Sequence, residues 1–331
     1  MSNPIAVYSG DTVLYWSAII ITLGLLAALM MTLSLQRTNK GSTAAVWLML
    51  PLAVILSVPI CRALHWYCHR EQYASFLQAV TDYSSGSYVL TGALLGAFLA
   101  ALIVSPLNTR STASLLDAFA PGAALAIAFI RLSSLFNSSC RSKIAVTTPI
   151  LQHLPLAAGF ADASGRVEYR FATFFFHFLV MLLLCRILLG FFFTRRRAPM
   201  ASGSRDGNTA RMFLVFYSAS ELVLDSTRYD SSFLPINGFV SFVQIVAAAC
   251  ILGVLIYYSV HSVRANGFRW YHPVLWLLWL LTVAAVGWTE YLVQRHGDWY
   301  LSCYSAMGLA CVLMAGVVYR MYLTCCEEEE E

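Results

Sequence analysis

FATFFFHFLVMLLLCRILLGFFF, Phe171–Phe193, carries one histidine and one arginine in an otherwise apolar run. A bilayer core of ~30 Å needs about 20 apolar residues for a helical crossing, and this run supplies them. Backbone N–H and C=O groups find no water in hydrocarbon, so the run must be a helix and not open sheet. The pattern recurs on both sides of it. It appears near Val13–Leu35, Ala44–Leu64, Tyr88–Leu107 and Leu115–Phe136, then near Met212–Thr227, Asn237–Ser259, Pro273–Tyr291 and Leu301–Leu323. The expectation is an all-α polytopic transmembrane helix bundle of about nine helices. Met212–Thr227 is the least span-like of the nine, being short and carrying Glu221 and Asp225.

Composition agrees with burial in lipid. Of 331 residues, 59% are hydrophobic and only 11% charged, where a soluble domain has roughly a quarter charged. The net charge of +4 is small, and no Gly-rich or aromatic-basic array points to nucleic acid. None of the nine cysteines forms a C-x-x-C pair, so neither a zinc site nor a redox pair is signalled. They read as small apolar packing residues. His65 and His69 have helical i, i+4 spacing without a carboxylate pattern, and read as interfacial residues beside Trp66 and Tyr67. No metal and no cofactor is implied. No Lys or Arg precedes the first apolar stretch, so no cleavable signal peptide is expected and the first helix should stay as an anchor.

Lys and Arg in short loops set orientation. Arg37 and Lys40 follow the first segment, Arg195–Arg197, Arg205 and Arg211 follow the fifth, and Arg264 and Arg269 follow the seventh. These loops share one side, which places the N-terminus outside and the C-terminus in the cytoplasm. Arg141, Lys143, Arg166 and Arg170 fall on the opposite side, available for work at the outer lipid surface. Ala198–Ala210 reads as a flexible loop, and Glu327–Glu331 as a solvated acidic tail.

Charges at bilayer depth cost about 2.5–3.5 kcal/mol each on insertion scales and need a reason. Arg62 closes the second segment, Asp117 opens the fourth and Arg131 lies near its other end. Tyr217, Glu221, Asp225 and Arg228 have the spacing of one helical face. They form a polar stripe that must point into the bundle or a wet cavity. An ion-pair network, a binding cleft and a transporter's polar path all fit it. His177, among phenylalanines, reads as a packed, hydrogen-bonded histidine.

Several stretches, taken in order, resemble bacterial phosphatidylglycerol–prolipoprotein diacylglyceryl transferases. DAFAPGAALAIAFIRLSSLFN, Asp117–Asn137, is similar to the signature D-x-x-A-P followed by G-R-x-G-N-F-x-N-G-E. ICRALHWY at Ile60–Tyr67 resembles G-A-R-x-x-Y-V, and GSYVLTGALLG at Gly86–Gly96 resembles G-G-x-S-F-H-G-G-L-I-G. FLVFYSASELVLDSTRYD at Phe213–Asp230 resembles F-L-x-x-Y-G-x-x-R-x-x-x-E-x-x-R-x-P-D. GFVSFVQIVAAACILG, Gly238–Gly253, resembles the last family helix. The resemblance implies a transferase-like membrane domain over residues 1–260, two additional helices over 261–326 and a tail over 327–331.

It also implies an activity, the transfer of a diacylglyceryl group from phosphatidylglycerol, or another anionic phospholipid, to the lipobox cysteine on a prolipoprotein signal helix. Glycerol phosphate leaves and a thioether forms. The reaction needs cationic donors for the phosphate and a base for the thiol, because the thiolate is the nucleophile. Arg131 matches the signature arginine. Arg62, Asn137, Tyr217, Asp225 and Arg228 match further polar positions. The family's histidine in H-G-G is Thr91 here, its Y-G-x-x-R arginine is Glu221, and two other signature residues are Ser134 and Ser139. Glu221, a carboxylate where the family has a cation, is the candidate base. The alternative is a non-catalytic relative that binds lipid or a partner protein through the old cleft.

Overall fold

The computed structural model describes residues 5–9, 12–81, 89–136, 142–161, 166–197, 206–233, 240–297 and 299–325. Asn137, Ser139, Arg141, most of the expected linker and the acidic tail lie outside them. Strands β1 (Ile5–Ser9) and β2 (Thr12–Tyr15) pair antiparallel and lead into α1 (Trp16–Thr38). Then come α2 (Thr43–Cys68), the short α3 (Phe76–Thr81), α4 (Leu90–Val104) and α5 (Thr112–Ser133). A short α6 (Pro149–Gln152) and the antiparallel pair β3 (Ala157–Ala161) and β4 (Val167–Phe171) precede α7 (Thr173–Arg197). α8 (Asn208–Leu224), α9 (Phe242–Asn266), α10 (Tyr271–Arg295) and α11 (Tyr300–Thr324) follow.

Eight of these helices are long and apolar enough to cross a membrane: α1, α2, α4 with its extension to Leu107, α5, α7, α9, α10 and α11. The chain is a multi-pass membrane protein. The ninth expected segment differs. α8 has 17 residues, begins before Met212 and stops at Leu224. Residues 225–227 form a turn in place of a last helical turn. Asp225 keeps the helical bond, its N–H to Glu221 O at 2.9 Å, and Arg228 follows beyond the helix in the turn. The two hairpins were not expected, because segments so short and mixed carry no sustained apolar period.

α5 is the central helix. Of its spanning window 61% is buried, against 22–39% for the other seven spans, and it packs on α1, α7 and α8. Its buried face is built from Ala118, Ala120, Ala123, Ala124 and Ala128. Lipid supplies no hydrophobic drive between helices, so small residues that let backbones approach do the packing. α2 and α4 meet in the same way. A Cβ on Gly92 would lie 2.7 Å from Cys61 Cα, and one on Gly96 2.6 Å from Ser57 Cα. α11 packs on α8 and α9 and sends Met307, Met314 and Met321 into the main core, while α10 packs on α11.

Asp117 lies one turn inside α5 instead of opening it. Its Oδ2 accepts the backbone N–H of Gly207 at 2.6 Å, and its Oδ1 that of Ala210 at 2.9 Å. These are donors that a helix start leaves unpaired, and a carboxylate there also meets the positive end of the helix dipole. Gly207 has φ +92°, a conformation that glycine adopts without a Cβ clash. At this same end Gln36 Nε2 donates to Asn108 Oδ1 at 2.9 Å, and Ser111 Oγ bonds Asp206. The other end of the bundle carries the hairpins and the turn after α8.

Candidate functional site

Three helices bring their ionisable residues to that second end. Arg131 sits in the last turn of α5, His177 in the first of α7 and Glu221 in the last of α8. Arg131 Nη2 donates to Glu221 Oε1 at 3.1 Å, and His177 Nε2 lies 3.3 Å from the same oxygen. The His177 and Glu221 side chains are each 1% exposed, and that of Arg131 11%. Tyr217, one turn earlier on α8, is buried with its ring stacked on Phe213. The fit of these three groups follows from depth. His177 is near the start of α7 and Glu221 near the end of α8, and the two helices run in opposite directions.

The turn after α8 adds a second cation. Arg228 Nε and Nη2 donate to the two oxygens of Asp230 at 3.0 and 2.7 Å, a forked pair, and Nη1 lies 3.8 Å from Asp225 Oδ1. Burial works against this guanidinium's charge, yet Asp230, Asp225 and Glu221 hold its pKa above the ordinary arginine value. Burial likewise opposes the Asp230 charge, and Arg228 holds that carboxyl below its usual range. Asp225 Oδ2 accepts from Ser241 Oγ, which tethers the turn to the start of α9. The turn is also stitched to the preceding loop. Lys143 N and Ser142 Oγ both donate to Thr227 O at 2.9 Å, and Thr173 Oγ1 meets Thr227 Oγ1 at 2.8 Å.

Arg131, Ser134, Thr173, Phe174, His177 and Arg228 line one small polar cleft. Beside it lies an apolar cavity of about 260 Å³ between α1, α2, α4 and α5. Its lining runs from Thr32 and Met49 to Leu90 and Ile130, and Ile130 precedes Arg131 in the chain. Thr32 and Ser57 are its polar side chains, and their hydroxyls are turned to the carbonyls of Ala28 and Ala93. The cavity therefore presents hydrocarbon throughout. Two cations next to an apolar slot can hold an anion attached to an aliphatic chain.

The other expected site residues sit elsewhere or lack a description. Arg62 is 1% exposed, its Nε donates to Ala79 O at 2.9 Å, and its guanidinium faces the Tyr73 ring at 5.9 Å. Thr91 is buried in the first turn of α4, beside Gly92. Asn137 is among the residues not described. Two loop cations expected to be available at the lipid surface are engaged by other groups of the protein. Arg170 bonds Glu168 and the carbonyls of Ser142 and Lys143, and Lys143 Nζ donates to Gln294 Oε1 on α10 at 3.2 Å. The His65 and His69 rings stack on each other at 4.2 Å.

These features define a polytopic α-helical membrane protein with a buried cationic cleft set against a hydrocarbon-lined cavity. The family model for prolipoprotein diacylglyceryl transferase matches residues 4–260, and the chain belongs to that family. Its relatives include proteins named phosphatidylglycerol–prolipoprotein diacylglyceryl transferase. One, from Acaryochloris marina, is 28% identical over 235 residues, covering 68% of this chain and 79% of the relative. Another, from Streptococcus equi subsp. zooepidemicus, is 26% identical over 255 residues, covering 75% and 93%. A third, from Synechococcus elongatus, is 27% identical over 263 residues, covering 75% and 84%. The family match ends inside α9, and α10 and α11 lie beyond it.

Proposed function

We propose that this protein transfers a diacylglyceryl group from phosphatidylglycerol, or another anionic phospholipid, to the lipobox cysteine of a prolipoprotein. The observation that carries this reading is the cleft that Arg131 shares with Arg228, together with an apolar cavity whose lining includes Ile130, the chain neighbour of Arg131. Acyl chains occupy the cavity, and the phosphate takes Arg131 and Arg228. Charge-assisted bonds to a phosphate strengthen as it departs with the C–O electron pair. Tyr217 and Asp225 flank Glu221 and belong to the surrounding binding region, and Arg62, Thr91 and Asn137 enter the reading as matches to the family pattern. The protein works in the bacterial plasma membrane with its N-terminus outside, so the cleft faces the side where exported signal helices arrive. Residues 1–260 form the transferase-like unit, and the two helices within 261–326 are an addition to it.

One observation favours a second reading. Glu221 already pairs with Arg131, and Asp230 with Arg228, so an incoming anion must displace carboxylates. At ~4 Å and an effective dielectric of about 20, each such pair is worth about 4 kcal/mol. A protein that binds lipid without transferring it has this charge balance. Expression in cells depleted of their own diacylglyceryl transferase separates the two. The transferase reading expects lipoprotein with the diacylglyceryl mass shift. Well-expressed protein that gives no shift overturns it and leaves the binding reading.

A further inference from the structure

We infer that His177, held by Glu221, is the group that takes the proton from the acceptor thiol. This rests on the transferase reading above. A carboxylate can only accept hydrogen bonds, so the tautomer that suits Glu221 has its hydrogen on Nε2, the imidazole nitrogen 3.3 Å away, although neither ring nitrogen makes a well-formed hydrogen bond among the described residues. That leaves the lone pair on Nδ1, which is buried and has no hydrogen-bond partner among the described residues. A buried unpaired nitrogen is costly and calls for an explanation. His177 lines the cleft together with Arg131 and Arg228, so a sulfhydryl admitted there lies beside the imidazole and the phosphate-binding cations.

Glu221 is a positioning residue in this scheme. Its Oε1 is shared between Arg131 and His177. When a lipid phosphate takes Arg131, the carboxylate is left to hold the imidazolium that forms at His177. Lipid therefore arrives before the thiol can be activated. The step balances without any other reactant. The S–H proton moves to His177 Nδ1, the thiolate sulfur bonds to the diacylglyceryl carbon, and the C–O bond to phosphate breaks. Its electron pair leaves with glycerol phosphate, to which His177 returns the proton. The charged groups around the imidazole are Glu221 on α8, Arg131 on α5 and Arg228 in the turn.

The test uses the full chain in vesicles of phosphatidylglycerol and a lipobox peptide made with either cysteine or selenocysteine. A selenol is already ionised at neutral pH and needs no base. His177→Gln should lose about 10²–10⁴-fold in kcat with the cysteine peptide, the range of general-base effects, with peptide KM little changed. With the selenocysteine peptide the loss should shrink to about tenfold or less. Should His177→Gln fail to fold, Glu221→Gln reads the same step with a smaller loss and the same selenol rescue. Wild-type kinetics in His177→Gln, or equal losses on both peptides, overturn the inference while the transferase reading stands. A wild-type protein that modifies neither peptide overturns both.

Discussion

Asp117 Oδ2 accepts the backbone N–H of Gly207 at 2.6 Å, which fixes the start of α8 against α5. The two helices run in the same direction from that contact. As many residues separate Asp117 from Arg131 as separate Gly207 from Glu221, about four helical turns in each case. The cap at one end of the bundle thus sets the Arg131–Glu221 pair at the other. Asp117→Asn keeps the shape, loses the charge that meets the helix dipole and puts an amide donor against N–H groups. We expect a loss of about 1–2 kcal/mol, read as a lower Tm in detergent, together with reduced lipid transfer. Unchanged Tm and transfer would mean that α8 is placed by apolar packing alone.

Arg131 and Glu221 are best separated by a double-mutant cycle. Arg131→Gln takes the hydrogen-bonded guanidinium from the buried Glu221 carboxylate, and breaking one partner of a buried pair costs about 3–5 kcal/mol. Arg131→Gln with Glu221→Gln removes both charges and should recover most of that stability. Transfer should stay absent in the double variant, because the phosphate clamp is gone. Recovered stability without recovered activity assigns the Arg131–Glu221 pair to chemistry as well as to folding. If the double variant is as unstable as Arg131→Gln alone, the pair is not the source of the loss.

The spans were legible in the sequence because lipid imposes a single rule, about 20 apolar residues per crossing. α7 obeys it, and the reading of Phe171–Phe193 and the helix Thr173–Arg197 agree to a few residues. α8 was harder. Its length is set by where the chain turns to present Arg228, and its start by a cap from Asp117, far away in sequence. Neither leaves a periodic signal. Arg131 and Glu221 stand out as charges in apolar segments. His177 was read as a packed residue, which it is, but its partner could not be named until α7 and α8 were known to run in opposite directions. Asp230 was invisible as a site residue, since nothing in an R-Y-D tripeptide says that the side chains fold back on each other.

Close backbone contact between α2 and α4 makes a prediction with an internal control. A methyl on Gly92 would sit 2.7 Å from the Cys61 backbone, whereas one on Gly253 in α9 meets nothing within 4 Å. Gly92→Ala should force the helices apart and lose about 1–3 kcal/mol. Gly253→Ala should be neutral or slightly stabilising, since alanine is the better helix former by about 1 kcal/mol. Thermal unfolding in detergent reads both. Equal effects at the two positions would show that α2 and α4 are free to separate at little cost.

The helices beyond the family match reach the site through Lys143. Its Nζ donates to Gln294 Oε1 at 3.2 Å, and Gln294 Nε2 passes the contact to Glu290 Oε1 at 2.9 Å. Its backbone N–H holds Thr227 O, one residue before Arg228. Burial pushes the Lys143 ammonium below its ordinary value of 10.5, against the opposing pull of Glu290, Asp225 and Asp230. The sign of the pH effect follows. Between the lowered folded pKa and the ordinary value the unfolded chain binds more protons, so this group makes stability rise with pH. The wild type should gain stability as the pH rises toward the ordinary lysine value, relative to Lys143→Met, which lacks the titration. Gln294→Leu removes the acceptor and should loosen the turn at 225–231, seen as faster amide exchange there and not in α2 or α4. If exchange in the turn is unaffected, α10 and α11 anchor the bundle without steadying Arg228, and their packing on α8 and α9 is their whole contribution.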